Sequence, residues 1–407
     1  MRKFALILAA VLLLTSAAGC NKTPSTGTGV GTPITTTAAA PLDIDTTENV
    51  WLLEPEYTAL FIGQELSTNV GMFEGKLGVY VTDDKGDTKC GYVSENGGFA
   101  IEPAYGQVQR FSNGYAAAVF HSGSANFGVI DETSGFVSPR EFASIGNFAE
   151  NGLAPAKLTG TDKFGYINTK GEFAIMPLYD MASDFVDGYA LTTVFDKNMS
   201  ATYGFVDEAG ELLGKQNYIL AQSFSEGYAA VWIGKDFASA KAGFIDTDGK
   251  MAIDAQFRAV GSFKDGLAPA VPADGELYGF IDTTGAFVIE PQFVYTPGFS
   301  DGLAMVAVRN ADGSITEGYI DTTGAFVIEP IYYSCQSFRD GYASVSTKEL
   351  YESGTGIKII IDRNGNRIVN EDLLLPDGTS IASTCYGNIV IAAKDGKYGI
   401  LRLADVE

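Results

Sequence analysis

Residues 279–291 read GFIDTTGAFVIEP and residues 318–330 read GYIDTTGAFVIEP, the same phrase with one aromatic exchanged for another, 39 residues further on. A chain that repeats itself at a near-fixed period folds as copies of one small unit, since a single copy cannot bury its apolar face and must stack on its neighbours. Aligned on the glycine that opens the phrase, copies begin at Gly91, Gly128, Gly165, Gly204, Gly243, Gly279 and Gly318, in steps of 37, 37, 39, 39, 36 and 39 residues. The third copy, GYINTKGEFAIMPLYDMASDFVDGYALTTV, gives the full grammar: Gly-aromatic-Ile-Asp/Asn, a turn ending in Gly, Phe-x-Ile-x-Pro, a spacer, then Phe-x-Asp-Gly-Tyr-Ala and a short apolar run. Degenerate pieces flank the set: KIIIDRNGNRIV at 358–369 and KYGILRL at 397–403 look like further openings, and KLGVYV at 76–81 reads as another.

Each part of the unit has a local cause. The strand Tyr319-Ile320-Asp321 runs into Thr322-Thr323-Gly324, where Gly supplies a positive φ and Asp bonds its own backbone, so a hairpin follows. Phe326-Val327-Ile328, apolar without alternation, predicts a strand covered on both faces, and Pro330 is expected to end its pairing. In FRDGYASVS, residues 338–346, Asp340-Gly341 makes a second turn and Tyr342 to Ser346 a further strand. Three or four strands per unit of about 38 residues approach the length of a propeller blade. The expectation is all-β: a closed β-propeller of about seven to eight blades, with an open β-solenoid or superhelix as the alternative. The ends decide between them: a ring needs KYGILRL to pair with a strand from the 50–82 region, making one mixed blade.

The frame resembles the WG repeat family, whose units open Lys-Trp-Gly-Tyr/Phe-Ile-Asp. Here KFGYIN at 163–168, LYGFID at 277–282 and KYGIL at 397–401 keep it with Phe or Tyr in place of Trp, and the resemblance runs from about residue 76 to the C-terminus. The family has no shared catalytic residues, so the resemblance implies repeat architecture and exposure to partners more than a reaction.

The N-terminal stretch MRKFALILAAVLLLTSAAGC places Arg2 and Lys3 before an apolar run from Phe4 to Leu14 and small residues leading to Cys20. That is the pattern of an export signal, too short to stay as a membrane-spanning helix. Ala17, Ala18 and Gly19 before Cys20 resemble the lipobox of bacterial lipoproteins, in which the cysteine is diacylated and becomes the mature N-terminus. The resemblance implies lipidation of Cys20, and more than one acyl chain makes such an anchor stable. Residues 21–41, NKTPSTGTGVGTPITTTAAAP, cannot bury a core and read as a flexible tether. The expected organisation is a signal at 1–19, the lipidated Cys and linker at 20–41, a degenerate repeat or cap at 42–90, seven repeats at 91–347 and degenerate closing repeats at 348–407.

The chain carries 27 Lys+Arg against 50 Asp+Glu, a formal net charge of −23. Phosphate backbones and anionic lipid surfaces are repelled, so nucleic acid is not an expected partner. Besides Cys20, the cysteines Cys90, Cys335 and Cys385 have no CxxC spacing, and they read as fillers of small apolar positions. His121 is the single histidine and has no Cys or His near it in sequence. No nucleophile elbow, P-loop or zinc-binding motif appears, so no catalytic, cofactor-binding or metal residues are assigned. The turn residues Asp131, Asp207, Asp246, Asp282 and Asp321 share one register, and DTDG at 246–249 lacks the spaced ligands of a calcium loop, so turn capping accounts for them. Tyr92, Tyr166, Phe205, Phe244, Phe280 and Tyr319 share one repeat position, and Phe111, Phe148, Phe185, Phe224, Phe263, Phe299 and Phe338 another; both read as core between units. The links at 121–127, 159–164, 196–203, 234–242, 273–278 and 309–317 vary, and variable loops on a rigid scaffold carry recognition. Two functions remain. The first is a non-enzymatic lipoprotein of the cell envelope, exported and anchored on the extracytoplasmic face, binding a protein or cell-wall polysaccharide. The second is a glycan hydrolase or lyase using carboxylates such as Asp282 and Asp321 as acid and base.

Overall fold

The computed structural model describes residues 50–62, 73–120, 126–214, 218–353, 359–370, 380–381 and 389–402. The signal-like segment, Cys20, the tether, His121 and Cys385 lie outside them.

The repeated unit is a four-stranded antiparallel meander. Over 259–293, Ala259–Val260 pairs with Ala268–Val271, that strand with Tyr278–Ile281, and that with Phe287–Phe293. The strand that holds the opening glycine is therefore third in its unit. Among the described residues nine such third strands occur, Thr88–Ser94, Phe127–Asp131, Phe164–Ile167, Ala201–Val206, Lys241–Ile245, Tyr278–Ile281, Ile315–Ile320, Ile359–Asp362 and Lys397–Arg402, and they define units 1 to 9 in chain order. The seven or eight units expected become nine because both degenerate C-terminal openings build a unit of their own. KLGVYV is not an opening. Lys76–Thr82 is the second strand of unit 1, pairing with Thr88–Ser94, and it follows a turn in which Glu74 and Gly75 both have positive φ, as the Asp-Gly turns of other units do. Among the described residues one short helix, Lys348–Ser353, interrupts the strands.

Unit 9 is mixed. Its first three strands are Ser380–Ile381, Ile389–Lys394 and Lys397–Arg402, and its fourth is Val50–Tyr57 from the other end of the body. This is the pairing a ring requires. Packing says the same: nine clusters of buried apolar residues each join two successive units. Leu53 and Ile400 of unit 9 meet Leu77 and Val93 of unit 1, and Tyr342 and Ile360 of unit 8 meet Val390 and Leu401 of unit 9. An open row of nine units has one junction fewer than it has units, whereas a closed ring has equal numbers. The fold is a closed β-propeller.

The two aromatic registers build these junctions. Each ring of the first register packs on the Phe of the next unit: Tyr92 on Phe111 at 4.7 Å between centroids, Tyr166 on Phe185 at 4.8 Å, Phe205 on Phe224 at 5.0 Å, Phe244 on Phe263 at 4.7 Å, Phe280 on Phe299 at 4.9 Å and Tyr319 on Phe338 at 4.6 Å. All of these side chains are buried, as repeated core residues should be. Where the ring is Tyr, its hydroxyl donates to a backbone carbonyl of the next unit: Tyr92 to Gln109, Tyr166 to Ser183 and Tyr319 to Gln336. The exchange of Phe for Tyr thus costs no unsatisfied hydroxyl.

The opening glycine answers to the fourth strand. At Gly91, Gly165, Gly243, Gly279, Gly318 and Gly399 an added Cβ would lie 2.4–2.5 Å from a carbonyl oxygen of that strand. In unit 7, Glu317 pairs with Tyr332 and Tyr319 with Ile328, so three residues around Pro330 face Gly318 alone. Pro330 therefore sits in a bulge within Phe326–Tyr332 instead of ending the strand, at a position where no ladder donor is needed. The strand is also not covered on both faces. Phe326 and Val327 are 38% and 41% exposed, because the fourth strand forms the outer edge of its unit.

Candidate functional site: the two faces of the ring

The chain runs antiparallel through each unit, units 1 to 3 joining in one ten-stranded sheet and unit 4 keeping only the bridges Val206–Leu212 and Tyr203–Tyr218 in place of a fourth strand, so the first-to-second and third-to-fourth turns open on one face, and the second-to-third link and the connection to the next unit open on the other. The invariant turns and the variable links are thereby segregated.

On the turn face, the Asp register caps its own hairpins. Asp282 Oδ1 accepts from the N–H of Thr284 at 2.9 Å, the Thr284 hydroxyl at 2.6 Å and the N–H of Ala286 at 3.2 Å, and Asp321 repeats this with Thr323 and Ala325. Asp131 is held by Thr133, Asp207 by Ala209 and Glu211, and Asp246 by Asp248 and Lys250. The threonine hydroxyls, with backbone N–H groups beside them, hold the carboxyls of Asp131, Asp282 and Asp321 below the usual carboxylate range. A general acid in glycan cleavage needs the opposite shift. Among the described residues no group of three or more His, Cys, Asp or Glu is placed to hold a metal ion.

A second row of carboxylates sits in the Phe-x-Asp-Gly turns. Glu74, Asp187, Glu226, Asp265, Asp301 and Asp340 all have positive φ. Glu226 accepts from the N–H groups of Asp265 and Gly266 in the next unit at 2.8 and 3.0 Å, Asp265 from Gly302 at 3.2 Å, and Asp301 from Gly341 at 2.7 Å. Asp187 accepts from Gly227, and Glu74 from Asn113 and Gly114. Five of these six turns, all but that of Asp340, are therefore seen to clasp the one after them. The acidic residue before each turn glycine was visible in sequence as turn chemistry; that it reaches across a junction was not.

Cys90 is buried in the junction of units 1 and 2, where burial pushes its thiol up to about 12, so it fills an apolar position as expected. Cys335, half-buried, donates its N–H to Glu317 at 2.6 Å.

The link face is where the sequence varies. The links of five consecutive units each place a large apolar side chain in solvent: Met199, Phe237, Leu277, Ile315 and Tyr351. Near the first strands of units 5 to 7, a recess of about 390 Å³ is lined by Gln222, Ser225, Ser262, Lys264, Pro297 and Gly298 among others.

The family model described as the WG containing repeat matches residues 91–120, 127–161, 164–194, 243–271, 278–310 and 318–351. These six stretches are WG repeats. The matched stretches fall on units 1 to 3 and 5 to 7, each beginning at or near the third strand of a unit and running into the unit that follows. WG repeats are thus units of sequence offset from the units of structure. No curated protein matches the chain. Among solved structures, a eukaryotic initiation factor is similar at 12% identity and a TM-score of 0.50, over 78% of this chain and 89% of that one. The β-propeller domain of the trilobed protease from Pyrococcus furiosus, described as having an open velcro topology, matches at 10% identity and a TM-score of 0.36, over 74% of this chain and 96% of that one. Dihydro-heme d1 dehydrogenase matches at 10% identity and a TM-score of 0.39, over 83% and 76% respectively. At these identities the likeness concerns fold alone.

Proposed function

We propose that this WG-repeat propeller is a non-enzymatic lipoprotein of the cell envelope, anchored through Cys20 on the extracytoplasmic face, that binds a protein or polysaccharide partner on its link face. The observation that carries the reading is the division of labour between the faces. The repeated aromatics, glycines and carboxylates are committed to junctions and turns, while the variable links of successive units emerge together and expose Met199, Phe237, Leu277, Ile315 and Tyr351. Exposed apolar groups on a rigid, otherwise acidic frame suit recognition. The test captures partners from envelope extracts and from purified wall polysaccharide with the intact protein, and assays glycan cleavage on the same material. Specific capture that is lost on exchange of the 234–242 link, without turnover, is expected. Turnover abolished by Asp282→Asn with the fold intact would instead establish the hydrolase. Cys20→Ala is expected to release the protein from membranes, and a membrane-bound, normally processed variant would overturn the anchor.

A further inference from the structure

Units 3 and 6 are near twins at their inner strands: IGNFAENGLAPA at 145–156 answers VGSFKDGLAPA at 260–270. In both, the glycine donates its N–H to a proline carbonyl, Gly146 to Pro155 at 2.7 Å and Gly261 to Pro269 at 2.8 Å. In both, the same proline packs 2.6 Å from where a Cβ on that glycine would stand. The two sites differ in what the following unit puts opposite. Unit 4 supplies Asp184, whose Oδ1 lies 2.6 Å from the missing Cβ of Gly146. Its carboxylate accepts from the Asn147 N–H at 2.9 Å and from the Asn147 side-chain amide at 2.7 Å. At the position of Asp184, one residue before the junction Phe, unit 7 has Gly298. No side chain enters, and the recess of about 390 Å³ opens there.

We infer that the notch between units 6 and 7 binds the carboxylate of a small organic acid of about the size of a sugar acid, in the place that Asp184 fills between units 3 and 4. The chain holds an internal example of the complex. Ser262 stands where Asn147 does and presents its N–H, and its hydroxyl is fixed by donation to Gln222 Oε1 at 3.1 Å. Lys264 lines the same recess where unit 3 has Ala149, adding a cation that unit 3, with its carboxylate built in, does not carry. The Lys264 ammonium and the Ser262 N–H, in a chain of net charge −23, favour an anion with planar oxygens at this place. Exposed Pro297 at the mouth gives an apolar surface for the body of the ligand. This site is independent of the envelope reading and of the link face, so neither stands or falls with the other.

The test titrates the full chain with sodium glucuronate at low salt by calorimetry, with sodium propionate and glucose in parallel. One carboxylate site is expected, weakened about tenfold by Lys264→Gln through loss of the charged partner. Ser262→Asp, at an exposed position, should abolish binding by placing a like charge in the notch, and the remote Lys250→Gln should leave it unchanged. Glucuronate tighter than propionate assigns a sugar acid as the ligand, and equal affinities assign the carboxylate alone. Absence of binding, equal binding of glucose, or binding indifferent to both Lys264→Gln and Ser262→Asp would overturn the site. Asp184→Ala offers a converse test, since it opens the twin notch: its lost thermal stability should return in part with added formate, and no return counts against a carboxylate-shaped notch.

Discussion

At the residue scale, the side chains that look interchangeable in the repeat are separately constrained. Gly279 meets the Ile289 carbonyl, with only 2.4 Å for a methyl group. Gly279→Ala should therefore destabilise the fold by about 2–3 kcal/mol, as overpacking does, measured by chemical denaturation. Gly302→Ala tests another constraint: nothing lies near its Cβ, but its φ of +78° makes the cost backbone strain. Tyr319→Phe removes one buried hydroxyl bond, to the Gln336 carbonyl, and should cost about 1 kcal/mol, whereas Phe338→Ala empties a junction and should cost about 3–5 kcal/mol. Glu317 gives the pH dependence. Burial raises its pKa above the usual 4.5, so the fold favours the protonated acid. Its contribution is complete at pH below that value and is lost as pH rises through the higher folded pKa. Glu317→Gln, which still offers an acceptor to Cys335, should gain stability on the wild type as pH rises from 4 to 7, and parallel pH profiles would refute the assignment.

At the element scale, what could be read from the sequence was what one unit determines alone. Asp321-Thr-Thr-Gly324 announces a hairpin because Asp-to-backbone bonds and a positive-φ glycine are local, and the aromatic registers announce a core because nothing else repeats a large ring at fixed spacing. Features set by two strands were misread. Pro330 looked like a strand end because its bulge exists only against Gly318, and KLGVYV looked like an opening because glycine before an apolar run fits two positions in the meander. Features set by two units were invisible: Gly261 and Gly298 are unremarkable until the ring brings their units side by side. The turn clasps belong here too. Glu226→Ala removes both bonds to the turn of unit 6 and should lower the unfolding temperature by about 2 °C. Hydrogen exchange should accelerate at Asp265 and Gly266 and spare Gly302, whose N–H is held by Asp265 instead.

At the scale of the whole molecule, stability is a property of closure. Each interior unit is held by two junctions, and unit 9 obtains its fourth strand from the far end of the body. Trp51, Leu52 and Leu53 carry that strand into the clusters shared with units 8 and 1, and Leu52 and Leu53 are buried. Three further contacts tie the seam: Gly98 of unit 1 donates to the Leu52 carbonyl at 2.8 Å, Arg402 to the Glu95 carbonyl at 3.0 Å, and Lys397 pairs with Asp84. Leu53→Asp places a charge among Ile400, Leu77 and Val93, where it has no partner, and should release the strand without shortening the chain. The amides of Lys397–Arg402 would then lie on an unpaired edge and lose protection, together with those of Lys76–Thr82 across the seam, while units 4 to 6, half a ring away, keep theirs. The scattering radius of gyration should rise as the ring opens. If protection fell evenly across all units, the ring would be a single cooperative block, and if neither protection nor radius changed, the latch would contribute nothing and the nine junctions would not be equivalent in kind.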